Sequence, residues 1–360
     1  MTSRAESYLT SLTATAKVPG IQYVVVSSSG VLFEHASGWA DIRGRIPVDA
    51  ATTMMAYSMS KTITAAAVLQ LVEAGRVRLD DCLQHYLGRR QPYGPAVTIR
   101  QLISHTSGIP NPIPLRWVHA ADRHQSFDED EALATVLKKH PHLSSAPGSR
   151  YAYSNIGYWL LGKVVEHATG KRFTAYVTET ILRVLGLEPP DLGYLVVDPA
   201  HHATGYLEKY SVMNLVKGLL IDRTLIGDYS GSWLAIRSHY LNGPAFGGLV
   251  GTAKGFGMFL QDQLRDRSVL FGDDTRRQFY TQQQKARGIP VPMTLGWHIG
   301  DRHGRRFFYK EGGGGGFHCM MRLYPNDGIG TVVMTNATGF NVGNVLNAID
   351  PAFFAKVSAL

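Results

Sequence analysis

The stretch SMSKTITAAAVLQLVEAG, Ser58 to Gly75, decides how the rest of the chain is read. Ile63, Ala67 and Leu71 recur at i, i+4 and i+8 with Val68 and Val72 beside them, which predicts a helix from Ser58 to Ala74. Gly75 is its C-terminal stop. Ser58 and Lys61 stand three apart at the helix start, so they share one face. A serine hydroxyl is a weak nucleophile until a base removes its proton. Partial burial and the positive end of the helix both favour a neutral lysine that could act as that base. The same helix end would stabilise negative charge developing near Ser58. One turn therefore supplies nucleophile, base and field. S-x-x-K is a short motif, but it occurs nowhere else in the chain. The plainer reading makes Ser58 a helix cap and Lys61 a solvated side chain.

Two further constellations carry chemistry. Tyr153-Ser154-Asn155 follows a Pro147-Gly148 turn and precedes a helical pattern from Ile156 to Ala168, closed by Gly170. A tyrosine beside a lysine can pass a proton, and an asparagine can hold the lysine and a substrate amide. Tyr240-Leu241-Asn242 and Tyr324-Pro325-Asn326 share the spacing in poorer contexts. Lys310-Glu311-Gly312 is the only K-x-G, and it opens a run of five glycines, Gly312 to Gly316. A lysine on a strand edge can orient an anionic group or tune a Tyr–Lys proton network. A following glycine lets substrate lie flat against the strand and offers an N–H to an oxyanion. A phosphate loop would place the glycines before a helix and end in Lys-Ser or Lys-Thr, which this run does not.

The remaining pattern is strands and helix, then a helical middle, then strands and helix. Residues 3–16 read as an amphipathic helix, and Ile21 to Ala40 as two strands around Ser28-Ser29-Gly30. Val97 to Ser104 leads into a short helix. Asp128 to Lys139 is a helix with acidic residues first and lysines last. Residues 189–246 read as irregular. Ala253 to Leu264 is a helix. Strands are expected at Thr294–Gly300, Arg306–Lys310, Phe317–Tyr324 and Gly328–Asn336, and a closing helix at Gly343–Phe354. The fold class is α/β (α+β): a mainly antiparallel sheet flanked by helices, built from residues 1–80 and 245–360, with a mainly helical lobe at 81–244. The site is expected between the lobes.

With 360 residues the chain suits one large or two closely joined domains. Its net charge of +8 comes from scattered pairs such as Arg89-Arg90 and Lys138-Lys139, not from a block. That describes a solvated basic surface rather than a nucleic-acid face. Cys82 and Cys319 are in no metal-ligand spacing, and neither are His140, His142, His201 and His202, so no metal or cofactor is expected. His105 reads as a packing residue. The first twenty residues lack the apolar centre of a secretory signal, and no run reaches a membrane-span length. A cytoplasmic location is expected, although a trimmed form of an exported protein fits the same sequence.

Together SMSK, YSN and KEG resemble the motif set of the serine β-lactamase and penicillin-binding-protein superfamily. VTIRQLISHTSGIP (Val97 to Pro110), PGSRYAYSNIGYWLLGKVVEHATG (Pro147 to Gly170), GGLVGTAKGFGMFLQ (Gly247 to Gln261) and KEGGGGGF resemble blocks of its class C β-lactamase-like branch, in the right order. That branch includes family VIII carboxylesterases, DD-peptidases and D-aminopeptidases. The resemblance implies Ser58 as acylated nucleophile, Lys61 as its base and Tyr153 as general base or acid. Asn155 would contact substrate and lysine, and the N–H groups of Ser58 and Gly313 would form the oxyanion hole. Lys310 and Gly312 would fill the third motif. Where the lactamases have Thr, this chain has Glu311, which would repel a substrate carboxylate if it faced the site; strand alternation could instead turn it away. Many esterases of the branch carry Trp or His at the position of Lys310. The expected activity is a carboxylesterase on small to medium esters. The alternatives are β-lactamase, DD-peptidase or D-aminopeptidase activity, acyl transfer, or a non-catalytic binding protein of the same fold. Tyr206, Tyr210, Trp233, Tyr240 and Phe246 are candidate acyl-pocket residues. The expected partner is a small ester or amide; no partner macromolecule is implied and the oligomeric state is open.

Overall fold

Valines and isoleucine between Gly20 and Ser27 make the central strand, β1, which is buried at every position. Its side chains alternate: Val24 and Val26 enter one apolar cluster, while Ile21, Tyr23 and Val25 enter another. A strand covered on both faces needs apolar residues on both, and this one has them. The computed structural model describes residues 2–112, 117–215, 217 and 222–354. Strands β2 (Gly30–Asp41) and β3 (Ile46–Pro47) follow β1 on one side. On the other lie β4 (His298–Arg302), β5 (Arg305–Gly314), β6 (Phe317–Tyr324) and β7 (Ile329–Thr335). The sheet order is β4-β5-β6-β7-β1-β2-β3, with every neighbouring pair antiparallel.

Helices cover both faces. α1 (Thr2–Ala14) and α6 (Val342–Ile349) pack on the Tyr23 side. α2 (Ser60–Glu73) and α5 (Ala253–Leu264) share the Val24 side. α3 (Glu129–Lys139) is capped by Asp128, whose carboxylate accepts from the N–H groups of Asp130 and Glu131. α4 (Asn155–Thr169) is capped by Ser154 and closed by Gly170 at φ 70°. α2 is buried almost all round because α4 packs on the side away from the sheet. Among the described residues no helix is long and apolar enough to cross a membrane.

The expected sheet and its flanking helices are present, with three corrections. The strand expected at Thr294–Gly300 lies at His298–Arg302. β5 does not stop at Lys310 but runs on through the first three glycines to Gly314. Residues 189–246 are not irregular throughout. Gly205–Glu208, Ile226–Ser230 and Trp233–Ile236 join Ala337–Thr338 in a four-stranded sheet, and His239–Leu241 pairs with Val118–Ala120. Strands of three to five residues are too short for period-two alternation to register. Their partners are also distant in sequence.

Candidate active site

A 3-10 turn, Tyr57–Met59, leads into α2. It leaves Ser58 partly exposed while Lys61, one helical turn on, is 0% exposed. Lys61 Nζ lies 2.9 Å from Ser58 Oγ and donates to the Phe246 carbonyl oxygen at 2.5 Å. The Tyr153 hydroxyl donates to Ser58 Oγ at 2.8 Å. The three residues read from S-x-x-K and Y-S-N thus meet at one oxygen. A solvated Lys61 is ruled out by its burial.

Environment sets the proton affinities of the two partners in opposite directions. Burial first, and then the charge of Lys310, hold the Lys61 amine well below the ordinary lysine range. Burial raises the Tyr153 phenol, and the bond to Ser58 only partly offsets it. An amine shifted towards its neutral form and a phenol shifted towards its protonated form flank the hydroxyl. One can take a proton and the other can give one.

The third-motif residues Lys310 and Glu311 face opposite sides of β5. Lys310 is 0% exposed, and its Nζ has no hydrogen-bond partner among the described residues. It lies 5.7 Å from the ring centroids of both Tyr153 and Tyr158. Glu311 points to the opposite side of the strand, with Oε1 2.6 Å from His318 Nε2. Alternation along β5 explains both directions. Asn155 is also placed differently from expectation: its amide donates to Asn111 Oδ1 at 3.1 Å, and the hydrogen bonds of Lys61 go elsewhere. His105 packs as expected, its ring 4.2 Å from that of Tyr153, and accepts from the Ser154 N–H through Nδ1 at 3.1 Å. His298 stacks on the far side of Tyr153, with centroids 6.5 Å apart and planes at 13°.

Lys310 yields a test that separates stability from proton chemistry. Burial lowers its amine from 10.5 to about 7. Below about 7 the amine is protonated both folded and unfolded, and its full burial cost is present. As pH rises from about 7 towards 10.5, the native state sheds the proton first and the cost disappears. Lys310→Met should therefore raise stability by about 1–4 kcal/mol at pH 7. The gain should shrink at pH 10, as read by urea unfolding. Lys61 also loses a cationic neighbour in this variant, so the acid limb of kcat/KM should move to higher pH. A limb that stays in place would show that Lys310 does not act on Lys61.

The glycine run makes room for the protein itself. β4 pairs with β5 only as far as Tyr309, opposite His298, so the following edge of β5 lies open to the Tyr57–Met59 turn. A Cβ at Gly312 would stand 2.1 Å from the Ala56 carbonyl oxygen and 2.8 Å from Ser58 N. With no side chain, Gly312 leaves room for the nucleophile turn to pack against β5. At Gly315, φ is 38° and a Cβ would meet the Tyr57 hydroxyl at 2.1 Å.

Ser58, Tyr153, Asn155 and Gly313 to Gly315 line one side of a cavity of about 250 Å³. Its opposite wall is apolar, chiefly Leu207, Met213, Leu225, Ile236, Leu241 and Phe246. Among its described lining residues there is no Asp, Glu, Lys or Arg, and burial holds the one imidazole, His239, below the usual histidine range. Of the aromatic residues expected here, only Phe246 arrives. Tyr206 and Trp233 belong to the α1–α6 cluster, Tyr210 is 82% exposed, and the Tyr240 hydroxyl accepts from the Val196 N–H. Sequence reasoning missed Tyr57, His239 and most of the apolar wall. The only signal was alternation within three- to five-residue strands.

A family model described as Beta-lactamase matches residues 5–352. A D-aminopeptidase of Brucella anthropi is 25% identical over 366 residues, covering 99% of this chain and 65% of the relative. The chain thus spans less than two thirds of that relative's length. An octameric penicillin-binding protein homologue from Pyrococcus abyssi superposes with a TM-score of 0.76 at 22% identity, over 97% of this chain and 77% of the other. A D-amino acid amidase from Ochrobactrum anthropi SV3, complexed with D-phenylalanine, gives 0.76 at 19% identity, over 98% and 99% of the two chains. These structural likenesses speak to the fold.

Proposed function

The chain belongs to the Beta-lactamase family, and from that premise we propose that it is a carboxylesterase working through an acyl-enzyme on Ser58. Lys61 takes the Ser58 proton as Oγ attacks the ester carbonyl. The N–H groups of Ser58 and Gly313 receive the negative oxygen. Tyr153 gives its proton to the departing alkoxide and regains one from Lys61, so the alcohol carries the Tyr153 proton and the serine proton replaces it on Tyr153. Water then attacks the acyl carbonyl, its proton returns through the same pair, and Ser58 leaves as the hydroxyl. The class C-like branch, and a division into residues 1–80 with 245–360 and a lobe at 81–244, belong to the same reading.

The absence of Asp, Glu, Lys and Arg among the cavity's described lining residues supports the ester preference. A β-lactam or peptide carboxylate needs an accessible cation, and Lys310 is wholly buried. A D-amino acid ammonium needs an anion, and Glu311 is held by His318. An unpaired charge in an apolar site is costly. The name of the D-aminopeptidase relative supports a second reading, amide hydrolysis of D-amino acid derivatives. We expect kcat/KM on p-nitrophenyl butyrate to exceed that on nitrocefin and on D-alanine p-nitroanilide by at least about 100-fold. Faster cleavage of either competitor would overturn the ester assignment and leave the Ser58 mechanism intact.

A further inference from the structure

Tyr57 immediately precedes the nucleophile, and no proton step uses it. Its φ of 46° puts a bulky aromatic residue in the left-handed region. Such a conformation persists only where the surroundings enforce it. Its hydroxyl lies 2.7 Å from His239 Nε2. His239 Nδ1 lies 2.9 Å from the Arg237 carbonyl oxygen. A carbonyl only accepts, so Nδ1 carries the imidazole proton and Nε2 accepts from Tyr57. Both side chains are buried, at 7% and 5% exposure. The Tyr57 ring lies against Gly314, and a Cβ on Gly315 would stand 2.4 Å from His239 Nε2. The pair therefore ties three pieces together: the nucleophile turn, the glycine run and the His239–Leu241 strand that walls the cavity.

We propose that His239 is a positioning residue for the nucleophile. By accepting from Tyr57 it holds the turn in its left-handed form and keeps Ser58 Oγ between Lys61 and Tyr153. This rests on Ser58 being the acylated serine. The test uses Tyr57→Phe, His239→Phe and His239→Gln. The readouts are the rate of fluorophosphonate labelling by intact mass, kcat and KM on p-nitrophenyl butyrate, and urea midpoints. Tyr57→Phe keeps the ring and removes only the donor. It and His239→Phe should lower labelling and kcat by about 10- to 100-fold, with KM within about threefold of the parent. His239→Gln, whose amide oxygen can accept from Tyr57, should recover most of the loss. A purely structural pair would lower the midpoints while the folded protein labels at the parental rate. Folded Tyr57→Phe labelling within about twofold of the parent would overturn the proposal while the Ser58 reading stands. A parent that takes up no fluorophosphonate would sink the Ser58 reading, and the positioning role with it.

Discussion

Lys61→Met is expected to lower turnover of p-nitrophenyl butyrate by about 10³- to 10⁴-fold and to leave the protein folded. Lys61 is the only amine bonded to Ser58 Oγ among the described residues, at 2.9 Å. Tyr153 is the poorer base of the two, because burial raises its phenol. Methionine has nearly the same length and no charge, so it fits a site that is 0% exposed. The hydrogen bonds to Ser58 Oγ and to the Phe246 carbonyl oxygen are lost. That loss opposes the relief of burying a titratable amine, so the stability change should stay within about 2 kcal/mol. Fluorophosphonate labelling of Ser58 should slow in parallel with turnover, since both need the alkoxide. Retention of more than a tenth of the parental kcat would remove Lys61 from the role of base. Comparison with Tyr153→Phe separates the two roles: losing the acid should weigh more on esters with poor leaving alcohols, whereas losing the base should slow every ester.

The cluster of Ser58, Lys61 and Tyr153 was legible because its spacing is local or its context strong. Ser58 and Lys61 lie one helical turn apart, so any helix there brings them together. Tyr153 sits just before a capped helix whose apolar face must turn inward. What was not legible depends on distant partners. Asn155 looks, from sequence, like a ligand of the lysine, yet it is anchored on Asn111, and nothing in Y-S-N points to that residue. Lys310 and Glu311 could each have faced the cavity. The pleat of β5 places one in the core and the other across from His318, and strand phase cannot be read through a run of side-chain-free glycines. Tyr57 is the sharpest case. By propensity it is an ordinary aromatic before a helix; its left-handed φ comes from the strand and glycine backbone pressed against it. The cavity wall escaped for the same reason, since Leu207, Ile236 and Leu241 lie on strands whose order is set by pairing with the chain's far end and with Val118–Ala120.

Gly312→Ala should strike directly at the turn that carries Ser58. The position lies inside β5 and its φ is not in the left-handed region, so alanine's backbone is permitted there and space alone decides. The three atoms nearest the added Cβ are Ala56 O at 2.1 Å, Ser58 N at 2.8 Å and Met59 N at 2.9 Å. All three are backbone, so no side chain can swing aside. Either β5 retreats from the sheet edge or the nucleophile turn is pushed along α2, by about 1 Å in either case. The second movement displaces Ser58 from Lys61 and Tyr153. The first draws the Gly313 N–H away from Ser58, where we propose that it receives the oxyanion. Each route predicts a loss of kcat of about 100-fold or more, with stability lower by about 1–3 kcal/mol. Gly313→Ala is the control for stability. Its Cβ would meet only the His318 ring, at 3.1 to 3.5 Å. That side chain can give, so the urea midpoint should move much less than in Gly312→Ala. Equal midpoints for the two variants, or parental turnover in Gly312→Ala, would show that the strand yields freely at this point. The glycine run would then be a spacer and not the seat of the nucleophile turn.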